Sequence, residues 1–124
     1  MEKLLFIYNA RSGKRNTYLD ALHKIFSPGN YPCRLCEITY GNFGERKEWK
    51  QFRNSSAIKM EFFHKDEFEK SYASKFGYKF EYPIILSEDQ NGLEVFISAE
   101  ELEEIKRPKD LIRLIEVRRA SGRG

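Results

Sequence analysis

Two cysteines, one tryptophan, two methionines and four prolines are all that this 124-residue chain holds of those residue types. Two cysteines cannot build the disulfide framework that staples small secreted domains, so the fold must rest on an apolar core. Long apolar runs are absent as well, and none approaches the ~20 residues that span a bilayer. The opening segment, Met1 to Tyr8, is too short for a signal-peptide core and has no small-residue cleavage site. A cytoplasmic location without membrane attachment is the expectation. One-sided charge is scarce too: 22 basic residues face 19 acidic ones, a net charge of +3. That balance argues against a nucleic-acid partner. Only the end is uneven, with Arg113, Arg118, Arg119 and Arg123 against Glu116, and residues 120–124 read as a frayed tail.

What is present describes a single globular domain over residues 1–119, with 40% hydrophobic, 33% charged and 15% aromatic residues. The run Leu4-Leu5-Phe6-Ile7-Tyr8 reads as a central strand buried on both faces. Tyr18, Leu19, Leu22, Ile25 and Phe26 recur at helical spacing from about Asn16 to Phe26, and Ser27-Pro28-Gly29-Asn30 stops that helix. Turn-rich sequence follows through the cysteines to Gly44, and a short amphipathic helix from Glu45 to about Arg53 is expected to bury Trp49 and Phe52. Ile58, Met60 and Phe62 alternate with polar residues, predicting a strand up to about His64. Asp66 with Glu69 resembles a capping box for a short helix. Two apolar runs flanking Asp89-Gln90-Asn91-Gly92 predict a hairpin, Ser98 with Glu101 a short helix, and Pro108 the start of a last one.

The order is β-α-(insert)-β-α-β-β-α around a central mixed sheet, with the insert at about residues 27–57. This order resembles the thioredoxin fold, an α/β class. The resemblance places a cis-proline at Tyr82-Pro83, next to a substrate-binding site, and an X-Pro bond carries a low cis penalty. A second resemblance rests on Leu22-His23-Lys24, Ser27-Pro28, Tyr31-Pro32-Cys33-Arg34-Leu35-Cys36, Thr39-Tyr40-Gly41, Glu48-Trp49, Phe52 and His64-Lys65-Asp66-Glu67-Phe68. Together these are similar to a family of small uncharacterised bacterial proteins with a YxCxLCxxTYG-type motif, sometimes labelled "GTPase". That label has no support in the residues. A P-loop needs G-x-x-x-x-G-K-[ST] for its backbone cradle and magnesium hydroxyl, whereas Asn9 to Asn16 has one glycine and Arg15 after Lys14.

The chemistry lies in the cysteines, both in Cys33-Arg34-Leu35-Cys36. As a dithiol–disulfide couple, Cys33 would attack and Cys36 resolve, with Arg34 favouring thiolate, Tyr82 and Pro83 contacting the substrate, and a protein thiol as partner. No cofactor is needed for that reading. The usual nucleophile position of the fold, Ala10 to Lys14, holds no cysteine, so the CxxC comes one helix late. The competing reading is a non-enzymatic module binding a partner or zinc. Cys33, Cys36, His23 and His64 would then complete a tetrahedral site, although a lone CxxC is half of one. Cysteines also pack as small hydrophobes with no chemistry at all. Two further surfaces offer partner contacts: the acidic run Glu100, Glu101, Glu103 and Glu104, and the alternating Phe76, Tyr78, Phe80 and Tyr82. A solvated helix face is the better reading of the first, and the second makes a partner surface only if exposed.

Overall fold

A computed structural model describes residues 3–9, 34–41, 44–73 and 80–120. The described elements run β1 (Lys3–Tyr8), α1 (Arg34–Thr39), β2 (Tyr40–Gly41), β3 (Gly44–Glu45), α2 (Lys47–Ser55), β4 (Met60–His64), α3 (Lys65–Phe68), β5 (Ile84–Asp89), β6 (Gly92–Ile97), α4 (Ala99–Glu103) and α5 (Pro108–Ala120). A π-helical turn, Glu69–Ala73, continues α3. The result is a mixed α/β structure. The Asn16–Phe26 helix, the glycine-poor segment beyond Asn9, Cys33, His23, Phe76, Tyr78 and the tail from residue 121 lie outside the described residues.

Four strands form one sheet in the order β4-β1-β5-β6. β1 pairs in parallel with β4, from Leu4 with Met60 to Tyr8 with His64, and antiparallel with β5, from Lys3 with Glu88 to Ile7 with Ile84. With a neighbour on each side and helices over the sheet, an unbroken apolar strand is what this position demands. Leu4, Leu5, Phe6, Ile7 and Tyr8 are all fully buried. Side chains alternate between faces. Leu4, Phe6 and Tyr8 enter the larger core with Leu35, Cys36, Ile38, Trp49, Leu102, Leu111 and Ile115, while Leu5 and Ile7 enter a smaller one with Phe68, Ile84 and Leu86. Each fully buried aliphatic or aromatic side chain contributes ~1.5–3 kcal/mol.

The local signals explain most boundaries. Ser98 opens α4 through a reciprocal cap: its hydroxyl accepts from the Glu101 N–H at 3.1 Å, and its own N–H donates to Glu101 Oε1 at 2.8 Å. Pro108 begins α5, where its missing N–H costs nothing. The hairpin turns on Gln90-Asn91, with the Asn91 N–H on Asp89 Oδ1 at 2.8 Å and Gly92 at φ 122°. The Tyr82–Pro83 bond is cis.

Several expectations need correction. The cysteine segment, read as turn-rich, is helical from Arg34. Arg34 pairs with Glu37 at 3.0 Å, and Thr39 Oγ1 donates back to the Leu35 carbonyl at 2.8 Å, which secures a helix of six residues. α3 is capped one position pair earlier than Asp66–Glu69: the His64 N–H donates to Glu67 Oε1 at 2.8 Å. Glu69 instead lies in the π turn and accepts from the Tyr82 hydroxyl at 3.0 Å. Phe80 and Tyr82 do not form an outward stripe; both pack, half-buried, against the smaller core. Nor is the acidic run of α4 wholly solvated, because Glu101 is bound by Arg118. The segment read as an insert is no appendage either. Its Leu35, Cys36, Ile38 and Trp49 belong to the larger core.

Candidate functional site

The carboxyl end of β1 gathers the features the sequence singled out. In the parallel register Tyr8 faces His64, and one step beyond Ile7–Ile84 the antiparallel register brings Pro83 to the same end. Open α/β sheets place ligands at the carboxyl ends of their strands. Tyr8 is also the link to the cysteine helix. Its hydroxyl lies 3.4 Å from Thr39 Oγ1. Because the one hydroxyl proton of Thr39 is given to the Leu35 carbonyl, Tyr8 is the donor. Thr39 closes α1, one helical turn from Cys36.

Cys36 is fully buried in the larger core and is disulfide-bonded. Cys33, the chain's other cysteine, precedes α1 directly and falls outside the described residues. Arg34 was expected to favour a thiolate. Its guanidinium is instead held by Glu37 at 3.0 Å and stands 3.8 Å from Glu103, so two carboxylates share its charge.

Tyr82 and Pro83 sit at the entry to β5. Pro83 is buried. Burial first, then the Glu69 carboxylate that receives its proton, push the Tyr82 phenol well above its ordinary value, so it stays a neutral donor. Its hydroxyl is hydrogen-bonded to Glu69 of the π turn.

The four suggested zinc ligands are not assembled among the described residues. Cys36 is in a disulfide and offers no thiolate. His64 is buried as the residue before α3, and its Nδ1 lies 3.0 Å from Glu67 Oε1. A carboxylate accepts only, so Nδ1 is the donor of this bond. His23 and Cys33 are not described. Among the described residues no group of three or more His, Cys, Asp or Glu converges on a common point.

Beside Tyr8 opens a cleft of about 310 Å³, lined among the described residues by Tyr8, Tyr40, Glu45, Arg53 and Phe62. The short β2–β3 ladder pairs Tyr40 with Glu45 and so places both at the rim. Arg46 fastens this ladder to α1, through its N–H on the Thr39 carbonyl at 2.8 Å and its Nε on the Glu37 carbonyl at 2.9 Å. From α2, Arg53 grips Glu45 with both arms of a fork, Nε to Oε2 and Nη2 to Oε1, each at 2.8 Å. The Glu45 hydrogen bond raises the Arg53 pKa further, with burial opposing and the Tyr40 and Tyr8 phenols adding a little. Phe62 stacks between Phe6 at 4.8 Å and Tyr8 at 6.4 Å, forming the aromatic wall.

None of Tyr8, Thr39, Glu45, Arg53 or Phe62 was marked as functional by sequence reasoning. The usable signal was Thr39-Tyr40-Gly41, which lies in the family-like motif without bearing obvious chemistry. Comparison with protein-family models, curated proteins and solved structures finds no match for this chain. No helix among the described residues is long and apolar enough to cross a membrane.

Proposed function

We propose that this chain is a thioredoxin-like protein that exchanges or senses thiol–disulfide state through Cys33 and Cys36. The observation carrying the proposal is that Cys36 is disulfide-bonded while fully buried. A shielded sulfur is a poor point of entry for a second protein, so exchange begins at Cys33. The Cys33 thiolate attacks one sulfur of a partner disulfide, forming a mixed disulfide and releasing one partner thiolate. The Cys36 thiolate then attacks the Cys33 sulfur, the second partner thiolate leaves, and both are protonated by water. The partner gains two electrons and this chain is left as its disulfide. The reverse sequence oxidises a partner dithiol.

The thioredoxin-like part of the proposal draws on the strand order β4-β1-β5-β6, with one parallel pair and two antiparallel ones. That pattern agrees with the β-α-(insert)-β-α-β-β-α order. The cysteine helix supplies core residues to the face of the sheet that Tyr8 enters, and this supports reading the end of β1 as the working end.

Mass measurement on the full chain tests the chemistry. Mild oxidation of reduced protein should remove two hydrogens, and a protein-disulfide substrate should be reduced by wild type but not by Cys33→Ser. Cys36→Ser should trap the mixed disulfide. Thiols that stay free and inert under oxidant, or exchange that survives in Cys33→Ser, overturn the proposal.

A further inference from the structure

Independently of the thiol chemistry, we infer that the cleft beside Tyr8 is a binding site for a small planar monocarboxylate, seated against Phe62 and Tyr40 and held by Arg53. Its volume, about 310 Å³, sits at the low end for small-molecule sites. A cavity of ~150 Å³ already accepts benzene in another protein, so a single ring bearing one acid group fits. The wall suits a ring: half-buried Phe62 is backed by the buried Tyr8 ring, with 17° between their planes.

The polarity of the ligand follows from which hydrogen-bonding groups the cleft has already used. Both oxygens of Glu45 are taken by Arg53. Of the Arg53 nitrogens, Nε and Nη2 are committed and Nη1 makes no hydrogen bond to a described residue. The Glu45 side chain is 11% exposed and that of Arg53 33%, so Arg53 is the more accessible partner of the pair. With the carboxylate engaged at both oxygens and one guanidinium nitrogen uncommitted among the described residues, the pair favours a ligand that brings an acceptor. The Glu45 charge sets the limit on the other side. It cancels the Arg53 charge, so the cleft holds an anion through the open guanidinium hydrogen bonds rather than through net charge, and a dianion such as inorganic phosphate meets twice the repulsion from Glu45. Among the described lining residues the one carboxylate, Glu45, already accepts from Arg53 at both oxygens, which disfavours an amine.

The structure also supplies its own reporter. Trp49, the chain's one tryptophan, lies one turn before Arg53 on α2. Benzoate is the probe. Titrated into the full chain, it should change Trp49 fluorescence saturably with a Kd of roughly 1 mM, as befits so small a ligand. Benzyl alcohol, of the same size without the charge, should bind at least about tenfold more weakly. Inorganic phosphate should not compete. The double variant Glu45→Gln/Arg53→Gln replaces the ion pair by a neutral pair of similar shape, and should lose at least about tenfold in benzoate affinity with its circular dichroism unchanged. No saturable response in folded wild type up to roughly 20 mM benzoate overturns the inference. So does equal affinity for benzyl alcohol, or phosphate competing as well as benzoate. If the double variant does not fold, the comparison of benzoate with benzyl alcohol on wild type decides alone.

Discussion

Glu101 shows how much one side chain can organise. Its carboxylate accepts from both terminal nitrogens of Arg118 and from the Ser98 N–H, and Arg118 Nη1 also reaches the Phe96 carbonyl at 2.7 Å. One residue thereby joins the end of β6, the cap of α4 and the last turns of α5. The Arg118 hydrogen bond, with burial opposing and Ser98 adding, lowers the Glu101 carboxyl from 4.5 to about 2. A carboxyl depressed in the folded chain stabilises it only while ionised. That contribution is complete above about pH 4.5 and is lost as pH falls through about 2. The two side chains are 38% and 36% exposed, so solvent screening leaves about 1 kcal/mol of it. Glu101→Gln, which can still cap Ser98, should lower the unfolding free energy by about 1 kcal/mol at neutral pH, a difference that shrinks as pH falls from 4.5 toward 2. Urea unfolding at several pH values measures it. A loss independent of pH would place the effect in packing instead.

Elements were legible where their cause is local. Ser98–Glu101 and Pro108 announce helices through caps within four residues, and Leu4–Tyr8 announces a buried strand by composition alone. Legibility failed where the cause is distant or short. Asp66-x-x-Glu69 matched a capping pattern, yet the backbone of His64 comes off β4 already placed to use Glu67. α1 lies between Pro32 and Gly41, and its stability comes from Leu35, Cys36 and Ile38 entering the larger core, a tertiary cause that no six-residue window displays. The cleft was invisible for the same reason. Glu45 and Arg53 are eight residues apart and Tyr8 far from both, and only the β2–β3 ladder brings Tyr40 and Glu45 to the rim. That ladder depends on Gly44, whose φ of 108° disfavours any side chain although nothing stands within 4 Å of the position a Cβ would take. Gly44→Ala should therefore cost about 1–2 kcal/mol from backbone conformation alone, without a clash. It should also weaken benzoate binding by displacing Tyr40, the ladder partner of Glu45 at the rim. Thermal unfolding and the Trp49 titration read the two effects. An unchanged melting temperature would mean that the ladder is not held by this conformation.

At the scale of the whole molecule, the two central strands, β1 and β5, supply fully buried side chains to both cores, β1 the more of them. Leu4, Phe6 and Tyr8 serve the face covered by α1, α2, α4 and α5, and Leu5 and Ile7 the face covered by Phe68 and its aromatic neighbours. If the two faces were separate units, damage on one would leave the other standing. A shared central strand predicts the opposite, because a backbone that loses its packing on one side cannot keep its register on the other. Trp49 reports on the larger core, 5.5 Å from Phe6, whereas Ile7 belongs to the smaller one. Ile7→Ala removes buried volume from the far face and should cost about 2–5 kcal/mol. In urea, the Trp49 fluorescence transition and the far-ultraviolet circular dichroism transition should both move to lower concentration by the same amount, with an unchanged slope. Coincidence makes the described elements one cooperative unit in which the cysteine helix, the cleft and the sheet respond together. A Trp49 transition left at the wild-type midpoint, while the dichroism shifts, would separate the faces and with them any coupling between the two sites.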